Sequence, residues 1–262
     1  MSKKSIVVTG ATGNLGSKVA AALLEGQQQI RVTGRQTEKL LSYNGKADVM
    51  AGDLEDQAFL KQLLYNASAV FLILPTLQRL TLQEFATQFI GIAEECGVTH
   101  IVNISNCTLT RWGKPTSLLE FESYLNQATT LHIKHLRCAN FFENLNWGIH
   151  TPYNPDIKLP YISSYEIAHI AAHYLQEQNF TGHSVDELMG ACDYSMSELA
   201  AQLGVSYHQT PARPEDQAFF DAFNNGQYEL VKRTPANTSA TQEERFTLSY
   251  FLENDFNREL LK

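Results

Sequence analysis

Three glycines stand between an apolar run and a helical pattern near the start of the chain. The segment SIVVTGATGNLGSKVAAALLEG, residues 5–26, places Gly10, Gly13 and Gly16 in GxxGxxG spacing. An apolar strand, a glycine-rich turn and an amphipathic helix in this order are typical of the first βαβ unit of a dinucleotide-binding fold. A glycine-rich turn that holds no ligand is the alternative interpretation.

Each glycine has a physical reason to occupy its place in such a turn. Gly10 permits a tight exit from the strand, Gly13 lets the backbone approach a pyrophosphate, and Gly16 permits close packing of the helix on the strand. The first turn of the helix then directs its N–H groups and the positive end of its dipole at the anion. The segment therefore predicts a phosphate site made from main-chain atoms.

Apolar runs alternate with helical segments about five times before Trp147. One run, AVFLIL at Ala69–Leu74, has no polar residue, as expected of a central parallel strand covered on both faces. The alternation predicts an α/β fold, a Rossmann doubly wound parallel sheet with a smaller C-terminal α/β cap. We expect residues 1–150 to form the dinucleotide-binding Rossmann domain and residues 151–262 a smaller substrate or cap domain packed on it.

The regular alternation stops near Trp147, and shorter elements follow it. Their periodicity predicts helices over Ser164–Gln176, Ser197–Gln202, Pro214–Asn224 and Thr241–Asp255. Pro214 suits the first turn of its helix, where a backbone N–H is not needed. His169 and His173 stand four apart in the first of these helices, but neither an HExxH glutamate nor a third ligand accompanies them. We therefore interpret them as surface or packing residues and predict no metal.

The end of the second strand indicates which dinucleotide would bind. NAD sites usually carry an acid there that bonds the ribose 2′-hydroxyl, but IRVTGRQTEKL has none at Thr33, Gly34 or Arg35. Arg35 and, one helical turn later, Lys39 are cations that suit a 2′-phosphate instead. We therefore predict NADP as the cofactor, with NADPH preferred over NADH; ordinary surface charge is the alternative explanation of the two cations.

An acid follows the third strand, in AGDLED. Asp53 would suit the adenine end of the cofactor, accepting a hydrogen bond from the base amine while Leu54 packs on the ring. The alternative role for Asp53 is that of a helix N-cap.

The charge, hydropathy and cysteine content of the chain indicate which kinds of partner to expect and the state of its thiols. The chain has 28 acidic and 20 basic side chains, a formal net charge of −8 and a pI of about 5.5, so we expect no nucleic-acid partner. No apolar run is long enough to span a membrane, so we expect no membrane partner either. Cys96, Cys107, Cys138 and Cys192 lack CxxC spacing and are expected to be reduced thiols in a cytoplasmic protein.

Four motifs together carry a family resemblance. VTGATGNLG, VTGRQTEKL, GDLED and LRCANFFENL resemble the NmrA-like branch of the atypical short-chain dehydrogenase/reductase superfamily. That branch includes redox-sensing regulators, quinone reductases and triphenylmethane-dye reductases. The resemblance covers nearly the whole chain and implies a Rossmann domain, a smaller C-terminal cap, and a cleft that holds the nicotinamide and any substrate.

The resemblance also implies which residues contact the cofactor. The pyrophosphate would be held by Gly10, Thr12, Asn14, Leu15 and Gly16, beside the close approach at Gly13. Arg35 and Lys39 would hold the 2′-phosphate, Asp53 and Leu54 would flank adenine, Leu74 and Pro75 would lie along the ribose, Ser105 would sit near the nicotinamide ribose, and Asn140 and Phe141 would face the nicotinamide. Packing at strand ends is the alternative for the last five residues.

The proton donor of the wider superfamily is missing. Reductases of that superfamily use a Tyr with a Lys four residues later, which lowers the pKa of the phenol. No such Lys follows Tyr65, Tyr124, Tyr153, Tyr161 or Tyr165.

Some relatives instead carry a Lys in the helix after the fifth strand. In this chain that helix reads SLLEFESYLNQA, with Glu120 and Glu122 but no Lys. Tyr124, Lys114 and Arg111 are other candidate donors, and the catalytic residue stays unassigned.

Two functions remain open at this point. The first is an NAD(P)H-dependent oxidoreductase that transfers hydride directly to a quinone-, dye- or carbonyl-type small molecule, with water able to deliver the proton. The second is a non-catalytic NADP(H) redox sensor that binds a protein partner according to redox state. A homodimer is possible in either case. Six aromatic residues either line an apolar cleft or form core: Phe141, Phe142, Trp147, Phe219, Phe220 and Phe223.

Overall fold

The structure is a computed structural model that describes residues 4–239 and 243–261. As far as it is described, the chain divides into two compact units, each assembled from separate stretches. The first unit comprises Met1–Ser105, Ser117–Arg137 and Ile167–Asp186, and the second comprises Asn106–Thr116, Cys138–Glu166 and Glu187–Lys262. The two units alternate along the chain, and the predicted division at residue 150 stays a prediction.

The described residues contain thirteen strands and nine α-helices. The strands are β1 (Ser5–Val8), β2 (Ile30–Gly34), β3 (Asp48–Ala51), β4 (Ala67–Leu72), β5 (His100–Asn106), β6 (Thr108–Arg111), β7 (Lys114–Pro115), β8 (His132–Cys138), β9 (Asn140–Phe141), β10 (Leu159–Ile162), β11 (His183–Leu188), β12 (Asp193–Tyr194) and β13 (Tyr228–Leu230). The helices are α1 (Asn14–Glu25), α2 (Thr37–Leu40), α3 (Gln57–Leu64), α4 (Leu82–Glu95), α5 (Ser117–Leu125), α6 (Ser164–Glu177), α7 (Met196–Gln202), α8 (Gln217–Asn224) and α9 (Leu248–Asn254). Short 3₁₀ helices add Leu41–Tyr43, Phe142–Trp147, Glu244–Phe246 and Arg258–Leu261.

A seven-stranded sheet organises the first unit. Its strand order is β11-β8-β5-β4-β1-β2-β3, and β1 pairs in parallel with both β2 and β4. The pairs β2–β3 and β4–β5 are parallel as well. This is the doubly wound Rossmann arrangement that the alternation predicted. The strand order reverses between β1 and β4, where open α/β sheets bind ligands at the carboxyl ends of their strands.

Apolar stripes hold the helices on this sheet. Leu15, Val19 and Leu23 of α1 are buried, as their spacing predicted. Helix α4 begins with a capping box between Thr81 and Glu84 and buries an aromatic stripe that packs on α5. The core of this unit is therefore built mainly from aliphatic strand residues and helix stripes.

The second unit is built from shorter elements. It contains two three-stranded sheets, β12-β10-β9 and β13-β6-β7. Its core is rich in aromatic rings, among them Phe142, Tyr161, Phe223 and Phe251. Each of these rings buries a large apolar surface, which helps to stabilise a unit made of small sheets and short helices.

Three predicted boundaries are wrong, each because a local hydrogen bond ends the element elsewhere. Strand β4 ends at Leu72 rather than Leu74, because the N–H of Ile73 donates to Thr9 Oγ1 at 3.0 Å instead of continuing the ladder. Helix α8 begins at Gln217 rather than Pro214, because the N–H of Asp216 closes a turn on the carbonyl of Arg213. The last predicted helix, Thr241–Asp255, is α9 over Leu248–Asn254 only, with Thr247 as its N-cap; residues 241 and 242 lie outside the described residues.

Within 4–239 and 243–261, no three or more His, Cys, Asp or Glu side chains are grouped so that they could hold a metal ion. No helix of these ranges has both the length and the apolar character needed to cross a membrane. The four cysteines, all of which the structure describes, form no disulfide bond.

Candidate functional site

The glycine turn between β1 and α1 has the close contacts that its spacing predicted. Gly10 has φ +64°, a left-handed conformation that a side chain would strain. A Cβ on Gly16 would overlap the carbonyl of Gly10, lying 2.6 Å from its carbon atom. The turn is closed by the N–H of Gly13, which donates to the Gly10 carbonyl at 2.9 Å. The start of α1 therefore packs closely against the end of β1.

A cavity of about 260 Å³ lies at this turn, within the first unit. It is bounded by the residues that follow β1, β2, β3 and β4, at the edge of the sheet where their carboxyl ends meet. Eleven residues assigned to the cofactor from the sequence line it: Gly10, Thr12, Gly13, Asn14, Leu15, Gly16, Arg35, Asp53, Leu54, Leu74 and Pro75. We call it the first-unit cavity.

The start of α1 offers this cavity an anion site. The N-cap residue Gly13 has no side chain to accept hydrogen bonds, and the first turn contains no acid. The first-turn N–H groups, those of Asn14, Leu15 and Gly16, have no acceptor within the helix. Lys18 donates to Asn14 Oδ1 and brings a cation to the same turn. These groups fit a pyrophosphate.

The end of β2 fits a phosphate better than a sugar hydroxyl. Gly34 places no side chain there, and the exposed Arg35 follows at the cavity wall. Thr33 is 1% exposed, and its Oγ1 has no hydrogen-bond partner in the part of the chain that the structure describes. Neither Thr33, Gly34 nor Arg35 is an acid, so this wall lacks the carboxylate that a ribose 2′-hydroxyl would need.

Asp53, which also lines the cavity, is held by two donors. Its Oδ1 accepts from the N–H of Glu55 at 3.0 Å, and its Oδ2 pairs with Arg79 Nη2 at 2.9 Å. The alternative role of Asp53 as a helix N-cap is wrong, because Asp56 caps α3 by accepting from the N–H groups of Ala58 and Phe59.

Glu55 fixes the loop that follows β4. Its buried carboxylate accepts from the N–H groups of Gln78, Arg79 and Leu80 at 2.8–2.9 Å. The hydrogen bond from Leu80, together with those from Arg79 and Gln78, lowers the pKa of Glu55. The carboxylate therefore stays charged and holds this loop at the wall of the cavity.

The part of the chain that contains this cavity matches a known protein family. Residues 10–149, more than half of the chain, match a family described as NAD(P)H-binding. The chain belongs to the NAD(P)H-binding family. Membership confirms that the predicted cofactor is a nicotinamide dinucleotide and agrees with the NmrA-like motifs.

Solved structures of proteins in complex with NADPH, NADP(H) or NADP share the fold. An NADPH-dependent quinone oxidoreductase from Escherichia coli, complexed with NADPH, is 22% identical over 96% of this chain and 100% of its own, with a TM-score of 0.76. The triphenylmethane reductase of Citrobacter sp., complexed with NADP(H), is 22% identical over 88% and 93%, with a TM-score of 0.73. NmrA, a negative transcriptional regulator, in complex with NADP, is 16% identical over 100% and 98%, with a TM-score of 0.76. These likenesses confirm the predicted Rossmann fold.

Four of the fifteen assigned residues do not line the first-unit cavity. Lys39 is exposed on α2. Ser105 lies near the end of β5, buried, and its Oγ has no hydrogen-bond partner among residues 4–239 and 243–261. Asn140 and Phe141 form β9 in the second unit, where Phe141 pairs with Ile162 of β10. Contact of these four with a cofactor stays a prediction.

Helix α5 contains a buried ion pair rather than a Tyr/Lys pair. Glu122 is 2% exposed and accepts from Arg137 Nε at 3.0 Å and Nη2 at 2.6 Å. Tyr124 on the same helix packs against the apolar core. The side chain of Glu122 is therefore engaged in a buried ion pair, in a helix that contains no Lys.

The second unit has a cavity of its own, of about 470 Å³, which we call the second-unit cavity. Aromatic side chains and prolines form part of its walls: Trp147, Pro152, Tyr153, Tyr161, Pro211, Phe219 and Phe220. Polar and charged residues line it as well, among them Asn140, Asn144, Arg213 and Asp216. Trp147 is 85% exposed, whereas Phe142 and Phe223, two of the six aromatics that the sequence left open, belong to the core.

Two tyrosines that line this cavity are weaker acids than an ordinary phenol. Burial raises the pKa of Tyr153 and of Tyr161 well above the ordinary phenol value. An activated proton donor needs the opposite shift. Arg111, a candidate donor, lies with its guanidinium 4.7 Å from the ring centre of Phe219, and Lys114 is exposed on β7.

Sequence analysis missed Glu55 and Arg79. Both act on the first-unit cavity through partners far away in the chain: Glu55 through residues 78–80 and Arg79 through Asp53. Only the motif GDLED carried a signal, because its two other acids already indicated a polar segment after β3.

Proposed function

We propose that this chain is an NADPH-dependent oxidoreductase that reduces a quinone-, dye- or carbonyl-type small molecule by direct hydride transfer. The observation that carries the proposal is the first-unit cavity. It combines the main-chain N–H groups at the start of α1, the cation Arg35, and an end of β2 that carries no acid. Two proteins of the same fold are, by name, reductases of quinones and of triphenylmethane dyes. The activity of those proteins is brought to this chain as a proposal.

The proposed cofactor position follows the cavity walls. The pyrophosphate lies at the first turn of α1, the 2′-phosphate at Arg35 and Lys39, and the adenine between Asp53 and Leu54. The ribose lies along Leu74 and Pro75. For Ser105, Asn140 and Phe141, contact with the nicotinamide end is what the family resemblance implies. When bound, the nicotinamide supplies the hydride. The chain's own residues bind and orient it.

We propose that the substrate enters the second-unit cavity. Its volume of about 470 Å³ is in the range of small-molecule sites, and its aromatic walls suit the faces of a planar ring system. Asn140, which the resemblance assigns to the nicotinamide, lines this cavity. Because burial raises the pKa of both tyrosines there, water is the proposed source of the proton that accompanies the hydride.

The preference for NADPH is tested with Arg35→Ala. Loss of a charge-assisted contact to the 2′-phosphate should weaken NADPH binding by ~1–3 kcal/mol and leave NADH nearly unchanged. Lys46→Ala, which removes an exposed cation of the same unit away from the cavity, should change neither affinity. Titration calorimetry with both coenzymes measures the result, and equal losses for the two coenzymes in Arg35→Ala would reject the assignment.

A second candidate function is a non-catalytic NADP(H) sensor that binds a protein partner in one redox state. It is favoured by helix α5, where the buried Glu122–Arg137 pair stands in place of a proton-donating residue. Incubation with NADPH and a panel of quinones, dyes and carbonyl compounds, followed by nicotinamide absorbance, separates the two functions. Turnover of any panel member rejects the pure sensor. Cofactor binding without turnover, with a partner recovered only in one redox state, rejects the oxidoreductase.

A further inference from the structure

Arg79 belongs to none of the motifs and does not line the first-unit cavity, but it pairs with Asp53, which does. Its guanidinium pairs with Asp53 at 2.9 Å, and its backbone N–H donates to the buried Glu55 at 2.8 Å. Glu55 also accepts from the N–H groups on either side, those of Gln78 and Leu80. The loop is therefore fixed at three consecutive amides, and Arg79 is held where its side chain reaches Asp53.

The pair changes the charge of the cavity. Arg35 and Asp53 line the same space of about 260 Å³. An unpaired Asp53 would place a full negative charge in a small cavity that is proposed to receive a 2′-phosphate. Two negative charges within one cavity of this size repel each other. A free carboxylate would also resemble the acid by which NAD sites hold a ribose hydroxyl. Pairing with Arg79 cancels both effects.

We propose that Arg79 is a positioning residue for coenzyme selection: by pairing with Asp53 it neutralises a carboxylate that lines the same cavity as Arg35, and so favours NADPH over NADH. The inference rests on the proposed function, because it assumes that a nicotinamide dinucleotide occupies this cavity. Arg79 acts on the coenzyme through Asp53. We therefore expect an electrostatic effect: a moderate change in the preference between the two coenzymes, which becomes smaller as the salt concentration rises.

Four variants test the inference: Arg79→Gln, Arg79→Lys, Asp53→Asn, and Arg79→Gln combined with Asp53→Asn. Dissociation constants for NADPH and NADH are measured for each by calorimetry at two salt concentrations. In Arg79→Gln the ratio of NADH to NADPH dissociation constants should fall about fivefold at low salt and less at high salt. Arg79→Lys and the double variant should both return the ratio to near the wild-type value.

Lys61→Gln serves as the matched control. Lys61 is 57% exposed and paired with Glu95, and Arg79 is 58% exposed and paired with Asp53. The two pairs differ in that Asp53 lines the cavity and Glu95 does not. The ratio should not change in this control. Thermal unfolding without coenzyme verifies that every variant is folded.

The outcomes separate this inference from the function on which it rests. Wild-type protein that binds neither coenzyme rejects the proposed function and the inference together. Wild-type binding of NADPH with an unchanged ratio in Arg79→Gln rejects the inference alone. A double variant that keeps the full loss of Arg79→Gln also rejects it, because the effect would then not pass through Asp53.

Discussion

The two cavities of this chain are made in different ways. The first-unit cavity is formed by the main-chain turn of Gly10, Gly13 and Gly16 and by residues that follow parallel strands. The second-unit cavity is walled by side chains such as Tyr153 and Phe220, which come from separate segments and meet with ring centres 4.9 Å apart. Binding geometry depends on local backbone in the first case and on long-range packing in the second.

The same contrast extends to what stabilises each unit. The first unit buries mainly aliphatic residues of its strands and helices, with a few phenylalanines and some hydrogen-bonded polar groups such as His135. The core of the second unit contains more stacked and edge-to-face aromatic rings. Substitutions should therefore be costly at aromatic core positions in the second unit, and at close backbone contacts and buried polar groups in the first.

The largest expected effect is in the aromatic core of the second unit. Phe223 is 5% exposed, with Tyr228 4.7 Å and Phe219 5.2 Å away between ring centres. Phe223→Ala should lower the free energy of unfolding by about 3–5 kcal/mol, through lost burial and the cavity left behind. Phe219→Ala, at a ring that is 38% exposed, is the matched control and should cost about 1 kcal/mol. Urea unfolding measures both, and equal losses would contradict the distinction between core and cavity wall.

The next effect concerns a buried histidine of the first unit. His135 bonds Asn103 Nδ2 through Nδ1 at 3.1 Å and Asn126 Oδ1 through Nε2 at 3.0 Å, and burial lowers its pKa to about 4. The unfolded chain takes up the proton near pH 6.5 and the folded chain only near pH 4, so this stabilisation is present above pH 6.5 and is lost as the pH falls between these values. The loss by pH 4 is about 3 kcal/mol.

The variant His135→Gln should lack this part of the pH dependence. Unfolding free energies of the wild type and the variant, measured from pH 7.5 to pH 4, should converge as the pH falls. Parallel curves would contradict the role given to His135.

A smaller effect is expected at the glycine turn. Gly16→Ala forces a methyl group into the Gly10 carbonyl and should cost about 1–3 kcal/mol of stability, with weaker NADPH binding because the start of α1 must move. Gly91→Ala in α4 is the control, since a Cβ there meets nothing within 4 Å. The control should gain about 0.5–1 kcal/mol from helix propensity. Similar behaviour of the two variants in thermal unfolding would contradict the close contact at Gly16.

The smallest expected change in stability is at the mouth of the second-unit cavity. Trp147 is 85% exposed, so Trp147→Ala should change the unfolding free energy by less than about 0.5 kcal/mol. It should raise the KM for quinone or dye acceptors without altering NADPH affinity, because an aromatic wall is lost. Trp112→Ala, at an exposed tryptophan that does not line the cavity, is the control. An unchanged KM in Trp147→Ala would remove the second-unit cavity from the proposed substrate path.

Much of the first unit could be predicted from sequence. The turn, the amphipathic helix α1 and the buried strand β4 are each set by neighbouring residues, so their patterns were visible along the chain. The second unit was harder to predict, because its elements are short and local contacts set where they begin. Before α8, for example, Arg213 and Asp216 form a turn closed by an ion pair and a main-chain hydrogen bond. Its strands β6 and β7 also come from a stretch between β5 and α5 that carried no strand signal.

The sequence by itself determined the glycine turn, the strand-and-helix alternation and a second strand that ends without an acid, because these are properties of consecutive residues and of the side chains they carry. Only the tertiary structure decided that Asp53 is paired with Arg79, that Glu55 holds the loop after β4, and that aromatic rings from separate segments enclose a cavity. These contacts join residues far apart in the chain. They exist only after the folded backbone has brought their side chains within a few ångströms.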